Sequence, residues 1–386
     1  MFEKLTEMTD RVLTYGVPGF ALVVLKDGKE IYRHTAGYSD LEKKIPVTGH
    51  ERLNLYSLSK VITCAAALLL VEEGKLHLTD KVSDYLPEFA HLTVKDGRGE
   101  REAKTPVTVH QLFTMTAGIG YEIDTNPAIV EMQAQTGGKC PTREIMRAIA
   151  KQPLHFEPGT GWVYGLCHDV LAAIIEVITG EKFSAFVKRR IFDPLGMKDS
   201  TFLLPAEELE TVAPQYRTND EDGKPVRIDK EIQLYKMGSE YESGGAGCVS
   251  TPDDYLKFGE GLRTGKILRP ETLAWMRTNQ LTAEQDAQYT SRERYGYGLG
   301  VRTPRGLQPD FGWGGAAGSY FGIIPEYGIT FFFGMHVLNN DVVYERKLIP
   351  DVVLRELAEN GEIFAPWLAE ADLAQFFPND AVQKIT

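Results

Sequence analysis

A dense apolar stretch runs from Val61 to Val71, with alanine, leucine and isoleucine on every side of it. A helix without a polar face has no place at a water boundary, so Ser57 to Glu73, stopped by Gly74, is predicted to be a buried central helix. Near the start, Phe20 to Leu25 and Glu30 to His34 flank Asp27-Gly28, a pair that accepts positive φ, and predict a hairpin. Near the end, Tyr297 to Arg302, Ser319 to Ile324 and Ile329 to Val337 are rich in β-formers, and Tyr344 to Leu357 reads as a closing helix.

Between these ends the pattern is helical. Thr108 and Gln111 fit a capping box that opens a helix into Leu112-Phe113. His168 to Thr179 carries Val170, Leu171, Ile174, Ile175 and Ile178 on one side and stops at Gly180. Ser184 to Phe192 continues as helix until Pro194. His91 to Lys104 reads as an exposed insertion and Gln215 to Lys230 as a polar loop, so no paired strands are expected in the middle of the chain. The prediction is an α/β fold of the α+β type: an antiparallel sheet built from both termini, flanked by helices, with an inserted, mainly helical lobe. The sheet domain is expected at 1–75 and 245–386, the helical domain at 76–244, and the active site between them.

Composition adds exclusions. The 386 residues are 43% hydrophobic and 25% charged, ordinary for a globular chain. A net charge of -12 argues against nucleic acid as a partner. Val61 to Val71 is too short to span a bilayer, and the first residues lack a basic start followed by an apolar run, so a cytoplasmic protein without a membrane partner is expected. Cys64, Cys140, Cys167 and Cys248 are scattered and form no C-x-x-C pair, which points to reduced, buried thiols and to no metal site.

Several common chemistries lack their motifs. There is no Gly-x-Ser-x-Gly, no P-loop and no His-Glu-x-x-His. Gly312-Trp313-Gly314-Gly315-Ala316-Ala317 matches a dinucleotide fingerprint, but a strand pattern follows it where that motif needs a helix, so no cofactor is expected. His168-Asp169 offers no serine triad, because helix neighbours diverge, and His168 reads as a surface residue; His110 and His336 read as core.

Three segments do carry chemistry. Ser57-Leu58-Ser59-Lys60 places a lysine one helical turn after a serine, within reach of its hydroxyl. Chance supplies such a pair in a chain this long about half the time, so it needs support. The surroundings provide some, since a lysine opening an otherwise apolar helix requires a reason. Tyr164 sits in a loop feeding the helix after it, and the glycine turn at Trp313 to Ala316 permits close backbone approach to a ligand, with N–H groups for an oxyanion.

In this order, Ser57-x-x-Lys60, Tyr164 and the Trp313-Gly314-Gly315 turn resemble the serine β-lactamase and penicillin-binding protein superfamily, and most of all the class C β-lactamase-like esterases known as family VIII carboxylesterases. Supporting stretches are Gly16-Val17-Pro18-Gly19, Thr114 to Gly118, Glu157-Pro158-Gly159, Ser243 to Gly247 and Tyr295 to Gly300. The resemblance implies that Ser57 is acylated and that Lys60 is its general base. It implies that Tyr164 shuttles protons to the leaving group and to water, and that the backbone N–H groups of Ser57 and Ala316 form the oxyanion hole. Trp313, Gly314, Gly315, Leu166 and Tyr121 are the expected substrate contacts.

Two departures narrow the chemistry. Leu166 stands where a Tyr-x-Asn motif has its amide, and Trp313 where Lys-Thr-Gly has its cation. A site without that lysine has less reason to bind an anionic β-lactam, unless Arg302 or another cation replaces it. The expected activity is a carboxylesterase on small to medium acyl esters. Alternatives of the same superfamily are a weak β-lactamase, a D-amino-acid peptidase or amidase, and an acyltransferase; the alternative from another class is a penicillin-binding-like sensor or scaffold. The partner is a small-molecule ester or amide, and the oligomeric state is left open.

Overall fold

Strand Ile329–Leu338 is buried at every position. Its alternate side chains enter two different cores. Phe331, Phe333 and Met335 pack with Leu5, Met8, Val352 and Leu357 of the terminal helices Glu3–Asp10 and Ile349–Glu359. Phe332 points the other way, among Tyr255, Phe258 and Phe321. A strand covered on both faces needs apolar residues throughout, which is why this segment reads as a continuous run and not an alternation.

The computed structural model describes residues 1–97, 99–123, 126–219, 221–228, 237–306, 309–340 and 344–369. Within it, Gly19–Lys26 lies antiparallel beside Ile329–Leu338, from Ala21 opposite Gly334 to Lys26 opposite Ile329. The first and last long strands are therefore neighbours, and the sheet is built from both ends of the chain as expected. Its order is Gly296–Tyr297, Arg302–Thr303, Phe311–Gly314, Gly318–Ile324, Ile329–Leu338, Gly19–Lys26, Lys29–Asp40, Ile45–Pro46. Asp27 (φ 51°) and Gly28 (φ 76°) make the predicted two-residue turn.

Helix Pro252–Arg263 packs on the sheet, and deeper in the molecule helix Ser59–Glu72 is buried along almost its whole length and ended at Gly74 (φ 67°). It packs on Cys167–Thr179, which stops at Gly180 in the left-handed region. The Thr108 capping box is present: Thr108 N donates to Gln111 Oε1 at 2.9 Å, and helix Val109–Phe113 follows.

Four expectations are corrected. Thr93–Asp96 and Gly99–Glu102 form a hairpin in the middle of the chain; its side chains are largely exposed, so no apolar alternation marks it. Tyr216–Thr218 pairs in parallel with Val337 and Leu338, and Pro225–Arg227 pairs with it, so much of the supposed loop joins the sheet. Asp220, Asp229 and Lys230, within the segment read as a polar loop, lie outside the described residues. Tyr297 to Arg302 is not one strand: Gly298 N bonds to Val301 O, and Gly300 (φ 84°) turns the chain between two short strands. The helix from Phe183 does not stop at Pro194. A wide π turn at Lys188–Phe192 relieves the clash the proline ring would make, and Gly196 ends the run.

Candidate active site

Leu53 and Asn54 form a short buried strand, and the chain then turns sharply at Tyr56, whose φ of 48° is unusual for a bulky residue. Ser57 sits in the single 3₁₀ turn Tyr56–Leu58, and the α-helix proper begins two residues later than expected, at Ser59. Lys60 is fully buried. A buried ammonium must find acceptors, and it has them. Its Nζ donates to the Gly245 carbonyl at 2.7 Å and to the Tyr121 hydroxyl at 2.7 Å, and lies 3.4 Å from Ser57 Oγ. It also sits 4.7 Å from the centre of the Tyr164 ring.

Tyr164 is fixed from the opposite side, where the Trp313 indole N–H donates to its hydroxyl at 2.9 Å. The adjoining Gly165 is pressed against the chain at Ile119: a β-carbon there would lie 2.1 Å from the Ile119 carbonyl oxygen. Trp162, Tyr121, Tyr289 and Tyr297 complete an aromatic cluster around these two rings.

The glycine turn links strands Phe311–Gly314 and Gly318–Ile324. Gly315 N donates to Ser319 O at 2.7 Å, and Gly318 N to Gly315 O at 3.0 Å. A β-carbon on Gly315 would lie 2.4 Å from the Leu55 carbonyl oxygen, so only glycine lets this turn press against the residues leading to Ser57. Among the described residues nothing accepts from the Ala316 N–H. The result is a cleft of about 1040 Å³ that Ser57, Tyr121, Tyr164, Trp313, Gly314, Gly315 and Ala316 all line, with Lys60 beneath them.

Two expectations fail here. Leu166 does not reach the cleft; it is buried at the start of helix Cys167–Thr179, facing a separate small hollow. His168 is not on the surface but fully buried, with Nε2 3.2 Å from the Phe113 carbonyl oxygen. Burial, and then the nearby Lys60 charge, push its pKa down to about 3, so it is neutral at ordinary pH. Arg302, raised as a possible replacement for the missing lysine, lines the cleft, with its guanidinium held by Asp310 and the Phe321 carbonyl and 4.1 Å from the centre of the Tyr320 ring.

The remaining expectations concern buried groups. His336 is buried and His110 half-buried, with its pKa lowered chiefly by burial. The four cysteines are free and buried. Among the described residues no cluster of histidine, cysteine and carboxylate is placed to hold a metal, and no helix is long and apolar enough to cross a membrane. Two contacts escaped the sequence reading. The Tyr121–Lys60 bond joins a helix to a loop 61 residues away, and Asp169, read only as a neighbour of His168, is fully buried below the site.

Comparison with known proteins agrees with this architecture. Residues 2–352 match the family model described as Beta-lactamase. Esterase EstB of Burkholderia gladioli is 32% identical over 278 residues, covering 66% of this chain and 68% of EstB. Lovastatin esterase of Penicillium rubens is 30% identical over 279 residues, 68% of each chain. The solved structure of EstCE1, a hydrolase with promiscuous acyltransferase activity, superposes with a TM-score of 0.74 at 26% identity, covering 91% of this chain and 97% of that one. With its two-ended sheet, its matched length and these relatives, the chain belongs to the beta-lactamase family and is a serine hydrolase within it.

Proposed function

We propose that this hydrolase is a carboxylesterase acting through an acyl-enzyme on Ser57. One observation supports the reading above others: Ser57 Oγ, the Lys60 ammonium, the Trp313-held hydroxyl of Tyr164 and the Ala316 N–H converge on a single aromatic-walled cleft. In this scheme Lys60 acts as the neutral amine, taking the Ser57 proton as Oγ attacks the ester carbonyl and returning it to Oγ when the acid leaves. The N–H groups of Ser57 and Ala316 receive the oxyanion. Tyr164 passes a proton to the departing alkoxide, then draws one from the water that releases the acid.

Substrate class follows from what lines the cleft. Trp162, Tyr164, Tyr289 and Trp313 offer apolar surface to an acyl or alkyl group. No lysine stands at position 313, and Arg302 is engaged by Asp310. Arg294, Arg346 and Lys347 also line the cleft, so the preference for a neutral ester rests on the aromatic wall beside Ser57 and on the missing lysine at 313. A second reading, transfer of the acyl group to an alcohol, draws support from the likeness to EstCE1, a hydrolase with promiscuous acyltransferase activity. We place the cleft between a sheet lobe, 1–75 with 245–386, and a helical lobe, 76–244, from which the strands at 216–227 reach across to the sheet. Four free, buried thiols fit a reducing compartment and support a cytoplasmic location.

Hydrolysis of 4-nitrophenyl esters of increasing chain length, beside a chromogenic cephalosporin, tests the assignment. Turnover of the esters well above the cephalosporin is expected. A preference for the cephalosporin would overturn it, and ester product formed with an added alcohol would establish transfer.

A further inference from the structure

Below the cleft, Asp169 is fully buried in the first turn of Cys167–Thr179. Its Oδ1 accepts from the Tyr241 hydroxyl at 2.5 Å and from Ser243 Oγ at 2.6 Å, and its Oδ2 has no hydrogen-bond partner. A buried carboxylate oxygen without a donor is costly unless a cation faces it. One does. Gly245 stands between Asp169 and Lys60, and a β-carbon on it would lie 2.4 Å from Oδ2 and 3.2 Å from Lys60 Nζ. Carboxylate and ammonium thus face one another across a gap that a single methyl group would overfill.

The same carboxylate shapes the loop that holds Lys60. Ser243, bonded to Oδ1, accepts from Ala246 N at 3.0 Å, and Thr63 of the Lys60 helix donates to Gly244 O at 2.7 Å. The carbonyl of Gly245, held within that stretch, is the 2.7 Å acceptor of Lys60.

We infer that Asp169 is a positioning residue for the Ser57–Lys60 pair, acting as the buried counter-charge of Lys60 and as the anchor of the loop whose Gly245 carbonyl aims it.

Other titratable groups near Lys60 do not compete for this role. Burial raises the Cys64 thiol, moves Cys167 to about 12 and holds the Tyr241 hydroxyl well up, while His168 is driven down to about 3. All four are neutral across the working range. Tyr121 and Tyr164 touch Lys60 from the cleft side, and Asp169 brings negative charge from below.

The inference rests on Lys60 being the base for Ser57, and the pH profile of kcat/KM tests it. The acidic limb reports the proton that must leave the Lys60–Tyr164 pair before Ser57 reacts. Removing a facing carboxylate makes that proton easier to lose. Asp169→Asn, which keeps the shape, is expected to move the limb to lower pH by about one unit or more. Tyr241→Phe strips a donor from the carboxylate, strengthens its field at Lys60 and moves the limb the other way. Ser243→Ala, which loosens the loop, is expected to lower kcat.

A folded, active Asp169→Asn with an unmoved limb overturns the inference. If that variant does not fold, an unmoved limb in Tyr241→Phe overturns it alone. The underlying reading fails by a different result, namely a Ser57→Ala enzyme that retains wild-type turnover.

Discussion

Replacing Trp313 by phenylalanine keeps an aromatic face in the cleft and deletes one N–H, the donor 2.9 Å from the Tyr164 hydroxyl. The loss depends on what that hydroxyl carries at the transition state. A hydrogen bond between neutral groups contributes about 0.5–1.5 kcal/mol, and one to a charged partner about 1.5–3 kcal/mol. With roughly 1.4 kcal/mol per factor of ten, a neutral tyrosine predicts a fall in kcat/KM of about two- to twelvefold. A tyrosinate predicts roughly twelve- to 150-fold. The size of the loss therefore reports the ionisation of Tyr164 during turnover.

The assay is steady-state hydrolysis of a nitrophenyl ester by wild type, Trp313→Phe, Tyr164→Phe and the double variant, with urea unfolding as a check on folding. Tyr164→Phe alone is expected to cost about 10²–10⁴ if the hydroxyl is the proton shuttle. In that background, the Trp313 change should lose most of its effect, because the acceptor is gone. A Trp313→Phe enzyme with unchanged kcat/KM, or the same loss in both backgrounds, would refute a role for this bond.

Two other predictions concern the oxyanion turn and the buried histidine. Gly315→Ala puts a β-carbon against the Leu55 carbonyl, pushes the turn from Ser57 and should cut kcat by about 10²–10³ while leaving the sheet folded; near-native turnover would remove Ala316 from the oxyanion hole. His168 has a folded pKa of about 3 against an ordinary 6.5, so as pH falls through 6.5 the unfolded chain gains a proton that the folded one refuses. Stability is full above that pH and is lost on acidification, by about 2 kcal/mol between pH 7 and 5. His168→Gln should lessen that loss in urea titrations, and an identical pH slope would contradict the burial argument.

How far the sequence revealed this depends on where each residue's partners lie. The sheet was legible because Ile329–Leu338 is apolar on both faces, and the hairpin at Asp27-Gly28 because its turn chemistry is local. The capping box of Thr108 and the stop at Gly180 are equally local. Ser57, Lys60, Tyr164 and Ala316 were singled out by motif order, and the fold gathers them at one cleft, yet the sharp turn at Tyr56 that presents Ser57 has no signature in pattern.

Misreadings came from distant partners. His168 reads as a surface residue, and Asp169 only as its neighbour, because Phe113, Cys64, Tyr241 and Ser243, which satisfy them, are at least 55 residues away. Strands at 93–102 carry exposed side chains, and the pair at 216–227 is likewise largely polar, so neither shows alternation. Leu166 follows Tyr164 by two positions, but the close approach of Gly165 to Ile119 turns it inward to the core.

The central claim is that Ser57 becomes acylated, and intact-protein mass spectrometry tests it most directly. The purified chain, treated with a fluorophosphonate, is expected to gain one adduct, located by peptide mapping on Ser57. The Ser57→Ala variant should gain none and should lose about 10⁶ in ester turnover. An adduct on another residue, or undiminished hydrolysis by Ser57→Ala, would contradict the account.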